Sequence, residues 1–291
     1  MSRATPASRA RYHSADNNFT FAWPPVPARQ FLAERETAFD PACPTELIAL
    51  DSADALGTPY PATTPTMLMH YARLNAGEAL NTRFAASGEI AYVIEGTGES
   101  RNGGDVITWG KGDVFCFSGG GETRHAGTTD SLLLVATNEP LLAFEKLRPG
   151  KAVVEAVHWP ADEIAREFEA VWQRPITPET TGHAVLFSSD ALAPSTNTLP
   201  SINAALNTLE AGADQRPHRH NGVAVVLAIQ GEGVHSIVDG QHIDWVDGAV
   251  QVTPGASLHS HHNRGPERMA CLIFQDEALH YYTRTPGFSF D

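Results

Sequence analysis

The sequence predicts an all-β chain: two barrels of one design in tandem, with an N-terminal arm before them and one helix linking them. Three observations predict it. Short apolar segments separated by glycine-rich turns recur through most of the chain. Only two stretches show a helical period, and the first set of strand-like segments has a second copy further on.

Residues 1–65 alternate polar, proline-rich and short apolar pieces, with W-P-P-V-P from Trp23 ahead of a helix expected over residues 28–38. They read as an arm laid over a domain. From Thr66 the pattern changes to apolar runs at residues 67–74, 90–94, 106–109, 114–117 and 132–136, which assigns residues 66–150 to a first barrel. Ile164, Phe168, Val171 and Trp172 then fall at helical spacing behind acidic residues, so one amphipathic helix is expected over residues 160–174. It sits in a linker of residues 151–195. Strand patterning resumes after it, and residues 196–291 form the second barrel.

The repeat is explicit in the residues. L-N-A-G from Leu74 matches L-E-A-G from Leu209, and I-E-G-T-G from Ile94 matches I-Q-G-E-G from Ile229. G-D-V from Gly112 matches G-A-V from Gly248, and N-E-P-L from Asn138 matches D-E-A-L from Asp276. The offset grows from 135 to 138, as it does when turns gain residues and strands keep their register.

Composition narrows the function. The 291 residues are 42% hydrophobic, enough for a sizeable core, and 34 acidic against 20 basic side chains give a formal charge of −14. No basic cluster offsets that charge, so neither nucleic acid nor an anionic membrane is an expected partner. Cys43, Cys116 and Cys271 are odd in number and lack C-x-x-C spacing, which fits a reducing compartment. The N-terminal residues lack the apolar stretch of a cleaved leader, and the longest apolar run, residues 223–229, is too short to span a bilayer. A cytoplasmic protein is expected, and a homo-oligomer.

The chemistry concentrates between Gly212 and Asn263. His218 and His220 are two apart, so on a strand both imidazoles project to one side. His259 follows the turn implied by Pro254 and Gly255, and is the best placed third ligand. Three neutral histidines suit a divalent transition metal and leave positions open for water or substrate. His261 shares parity with His259 and reads as a base beside the metal, or equally as a partly exposed histidine that only hydrogen-bonds a neighbouring strand. Arg216 shares parity with His218 and could grip a carboxylate, against the plain alternative of a surface arginine. Asn203 and Asn207 lie on one face of the first strand of this repeat and are candidates for the cavity wall.

In the first repeat, sequence alignment places Arg83 and Ala85 at His218 and His220, Thr123 at His259, Glu89 at Ala224 and His125 at His261. Too few ligands remain, so the first barrel is expected to be metal-free and structural. A weaker alternative is that Glu89, His125 and Arg83 hold a small anion or a poorly bound metal.

These residues carry a resemblance to the cupins, and the whole chain looks like a bicupin. The pattern G-x5-H-x-H-x3,4-E-x6-G is met by Gly212, His218, His220 and Gly231, with Ala224 where glutamate is usual. The pattern G-x5-P-x-G-x2-H-x3-N is met by Gly248, Pro254, His259 and Asn263, with the turn glycine displaced to Gly255. P-H-R-H from Pro217, G-E-G from Gly231, Asp244 with Trp245, and H-x-H-x-N from His259 are similar to the gentisate 1,2-dioxygenase group. That resemblance implies double-stranded β-helix (jelly-roll) barrels, Fe(II) held by three histidines, and O2-dependent ring cleavage of a small anionic hydroxylated aromatic acid. Manganese, nickel or zinc fits the same ligands. Two other functions stay open: an oxygen-independent isomerase or hydrolase acting on a small polar metabolite, and a non-catalytic binding module.

Overall fold

All five runs expected in the first barrel from their apolar composition form strands in a computed structural model, which describes residues 5–14, 16, 23–150, 152, 154–175 and 182–291. The larger sheet of the first half runs, in spatial order, Glu46–Ala49, Leu68–Leu74, Ser131–Thr137, Gly88–Glu95, Val114–Ser118 and Val157–Trp159. Its smaller partner sheet is Ala79–Thr82, Thr123–Gly127, Thr97–Asn102 and Asp105–Gly110.

The second half repeats this order. One sheet is His183–Phe187, Asn203–Leu209, Met269–Gln275, Ala224–Gln230 and Val250–Thr253; the other is Gln241–Asp244, Val234–Val238, His259–Asn263, His218–Arg219 and Ser289–Phe290. Even the irregularity is copied: the ladder shifts register between Val93 and Glu95 in one half, and between Ala228 and Gln230 in the other.

Among the described residues, three apolar clusters hold the fold. Ala72, Leu74, Ala91, Val93, Leu133 and Val135 fill the interior of the first barrel, and Ala224, Val226, Ala228, Cys271 and Ile273 that of the second. The opposite faces of the same strands, with Met69, Tyr71, Leu132 and Leu134 from one half and Val225, Leu227, Leu272 and Phe274 from the other, meet in a third cluster between the barrels. Both faces of the large sheets are thus covered, which is why Leu68–Leu74 and Ser131–Thr137 are buried at every position.

The arm and linker close the sheets. Arg29 and Phe31 exchange backbone hydrogen bonds with Val252 and Val250, extending the second barrel's large sheet. The arm helix, Leu32–Phe39, follows, and its Phe39 ring lies where a side chain on Gly248 would have to go. The linking helix expected over residues 160–174 is Ala161–Trp172, with Ile164 and Phe168 buried. Among the described residues no helix is long and apolar enough to cross a membrane.

Besides the single turn Ala53–Leu56, a pair of short helices escaped the sequence reading, although the repeat had flagged where they begin. Glu139–Glu145 and Glu277–Thr283 start at N-E-P-L and D-E-A-L. Their acidic or amide residues fasten the loops below: Ser87 and Ala85 donate backbone N–H groups to Asn138 and Glu139, and Val223 and Gly222 donate theirs to Asp276 and Glu277. Ala79–Thr82, Thr97–Asn102 and Thr123–Gly127 were also missed, being polar strands with mixed exposure.

Candidate metal centre

His218 stands directly opposite His259 in the antiparallel ladder, and His220 lies two residues further along. All three are buried, and one ligand nitrogen from each lies within 4.8 Å of the others. Among the described residues this is the group that could hold a metal ion.

The backbone sets their orientation. His218 Nδ1 bonds the carbonyl of Arg216 at 3.0 Å, His220 Nδ1 that of Gly222 at 2.8 Å, and His259 Nδ1 that of Ser257 at 2.9 Å. A carbonyl only accepts, so each Nδ1 carries the proton and each Nε2 keeps its lone pair. Burial lowers all three pKa values, His220 to about 4 and His259 to about 2, where the neighbouring His218 and His220 add to the effect. Three buried neutral donors with fixed tautomers fit a divalent metal.

The loop after His220 depends on Gly222. A Cβ there would come within 2.5 Å of Glu277 Oε2 and 2.8 Å of the Glu277 backbone nitrogen. Gly222 also donates its N–H to that carboxylate at 2.6 Å and accepts from His220. Only glycine allows both contacts at once.

A cavity of about 250 Å³ opens over the three histidines. Its apolar wall is Ala224, Val226, Ile273 and Phe288; its polar wall includes Asn207, Gln215, Thr253, His261, Gln275 and Glu277, with Tyr281 at the side. Burial raises the pKa of Glu277, against the opposing hydrogen bond from Gly222. Among the described residues the buried Asn207 carboxamide oxygen has no partner. Residues 285–291 close one side: Asn221 holds the carbonyl of Thr285, Ser289–Phe290 pairs with His218–Arg219, and the Phe288 ring lies 5.4 Å from that of His218.

The remaining sequence candidates fall in different places. His261 lines the cavity, and its Nδ1 meets Ser236 Oγ at 2.9 Å. Ser236 Oγ in turn bonds Trp245 Nε1 at 2.7 Å and the Gln251 carboxamide at 3.0 Å, so His261 is anchored from behind by a buried polar network. The first barrel holds the same arrangement, Trp109 to Ser100 to His125, without the three ligands. The network therefore follows from the fold.

Asn207 reaches the cavity. Asn203 reaches it through another side chain, donating to Gln275 Oε1 at 3.3 Å. Arg216 does not line the cavity: its guanidinium lies over Phe290 at 4.4 Å and donates to the backbone oxygen of Asp291. It fastens the closing segment to the ligand strand. Gln275 and Glu277 were missed, although Gln275 immediately precedes the D-E-A-L copy.

In the first barrel Thr82 faces Thr123 as His218 faces His259, so the ladder puts Thr82 and Phe84 at the positions of His218 and His220. That corrects the sequence alignment, which had Arg83 and Ala85 there, by one residue. Threonine and phenylalanine supply no nitrogen ligand, and the Phe84 ring lies tilted against His70, 5.4 Å between centroids.

A cupin domain model matches residues 205–274. The fold is similar to salicylate 1,2-dioxygenase from Pseudaminobacter salicylatoxidans at 14% identity, with a TM-score of 0.75, covering 94% of this chain and 91% of that one. The adduct of that enzyme with gentisate gives 0.76 at 14% identity over 95% and 89%. An S161A mutant of oxalate decarboxylase from Bacillus subtilis gives 0.52 at 16% identity over 78% and 72%. No curated protein matches the chain in sequence. One barrel topology thus occurs twice, and the cupin match falls on the copy that carries the histidines.

Proposed function

We propose that the chain is an Fe(II)-dependent dioxygenase that cleaves the ring of a hydroxylated aromatic acid of the salicylate or gentisate kind. The observation that carries this reading is the buried cluster of His218, His220 and His259, all neutral, with no carboxylate in the fourth place of the motif. The likeness in fold to a salicylate 1,2-dioxygenase points the same way.

Bound by those three nitrogens, iron would supply the redox chemistry that joins dioxygen to an electron-rich ring. The protein's own part is binding and exclusion of water. A neutral ligand set leaves the ion's two positive charges in place, which favours an anionic substrate. His261 and Asn207 both line the cavity and offer hydrogen-bonding groups to that anion. Phe288, Val226 and Ile273 give a ring an apolar wall.

The test is oxygen uptake by protein loaded anaerobically with Fe(II), across gentisate, salicylate and 1-hydroxy-2-naphthoate. One dioxygen consumed per ring-opened product is expected. An iron-replete protein that takes up no oxygen on any of them overturns the reading.

A further inference from the structure

The cupin pattern places a glutamate where this chain has Ala224, yet the space beside that alanine is occupied by a polar side chain. Gln275 stands directly opposite Ala224 on the neighbouring strand, and its carboxamide nitrogen lies 3.3 Å from His220 Nε2. His220 Nδ1 is bound to the Gly222 carbonyl, so Nε2 is the metal-facing nitrogen. The first barrel shows the reverse pairing at the equivalent rung, where Glu89 stands opposite Thr137. Each barrel thus puts one long polar side chain at this place. It comes from the central strand in the first and from that strand's neighbour in the second.

Gln275 is also held from behind. Asn203, opposite it on the next strand, donates to its Oε1 at 3.3 Å, while the buried Asn203 oxygen has no partner among the described residues. An amide with an orphaned acceptor in a buried site is incompletely satisfied. A half-turn of both carboxamides exchanges oxygen for nitrogen at nearly constant shape. Gln275 then turns its oxygen toward the histidines, and its amino group donates to Asn203 Oδ1. In that arrangement Asn203 Oδ1 gains a donor, and the Asn203 amino group gives up its bond to Gln275.

We infer that Gln275 is a fourth, neutral ligand of the metal held by His218, His220 and His259, oriented by Asn203. This rests on the three-histidine metal reading above. A carboxamide oxygen is a competent donor to hard and borderline divalent ions. Unlike the glutamate it replaces, it cancels none of the ion's charge, so the exchange of glutamate for an Ala224–Gln275 pair preserves the attraction for an anion.

The test uses Co(II) as the probe, with affinity from chelator competition and coordination number from the visible absorption spectrum. Gln275→Ala is expected to bind Co(II) about 10- to 100-fold more weakly, the range seen when groups supporting a metal site are lost, and to show an altered spectrum. Gln275→Glu keeps the shape, so its folding is not at issue. It is expected to bind Co(II) more tightly than wild type and salicylate at least about tenfold more weakly, since a carboxylate cancels one charge. Wild-type Co(II) affinity and spectrum in Gln275→Ala would overturn the assignment. So would unchanged salicylate affinity in Gln275→Glu. His218→Ala separates the two ideas: Co(II) lost there but unaffected in Gln275→Ala overturns the role of Gln275 alone, whereas Co(II) retained there overturns the three-histidine site as well.

Discussion

One interior position differs in charge between the two barrels: the first has Glu89 where the second has Ala224. Glu89 is buried, and among the described residues one of its carboxyl oxygens has no partner. Burial raises its pKa from 4.5 to about 7, opposed by a hydrogen bond from Thr123. The folded chain therefore holds this proton more tightly than the unfolded chain. The resulting stability is present in full below pH 4.5 and is lost as the pH rises to about 7. Glu89→Gln should stabilise the protein at pH 8 by up to about 3 kcal/mol, and by little at pH 4.5. Urea midpoints of both proteins at the two pH values check this; a difference independent of pH would refute it. His70 and His125, lowered by burial to about 4, act with the opposite sign as pH falls below 6.5, so the comparison has to be made between variants at equal pH.

At the scale of elements, the metal centre depends on what holds the short strand His218–Arg219. On one side is the loop at Gly222, clasped by the first residue of the helix Glu277–Thr283. Gly222→Ala should push that loop off Glu277, costing about 1–3 kcal/mol of stability and weakening metal binding together. Thermal denaturation and metal titration of the same preparation test the pair of effects; a variant with normal stability and affinity would show that the clasp is slack. On the other side is the segment ending in Ser289–Phe290, held by Arg216 and Asn221. Phe288→Ala opens the cavity wall beside His218. On the proposed function it should raise KM for salicylate or gentisate about 3- to 10-fold with kcat little changed, as expected when apolar contact equal in ground and transition states is lost. Steady-state kinetics decide it, and a fall in kcat at constant KM would contradict it.

Across the whole molecule, the two barrels share the apolar cluster between their large sheets and are tied through it by a buried hydrogen bond. Tyr71 Oη donates to the carbonyl of Gly248 at 2.6 Å, from one half to the other. Tyr71→Phe should cost about 1–2 kcal/mol by leaving that carbonyl unpaired. The barrels should also unfold in one cooperative step, because neither can leave without exposing the shared face. Coincident denaturation curves by tryptophan fluorescence and circular dichroism are expected; two separated transitions would refute the coupling.

The tandem barrels, the linking helix and the three histidines were legible in the residues because each rests on local periodicity or on short spacing. Strand alternation alone puts His218 and His220 on one side, and the repeat alone identifies the copy that keeps the ligands. Other features needed the tertiary structure. Alternation groups Asn203 with Asn207 but does not say which face is inside, and the barrel's closure decided that Asn207 lines the cavity while Asn203 acts through Gln275. Arg216 shares parity with a ligand and still lies outside, because the paired segment Ser289–Phe290 claims its side chain. The partner of Ala224 is Gln275, 51 residues away in the chain and adjacent only across a ladder. Sequence determines which side chains share a strand face; only the pairing of distant strands determines which of them meet.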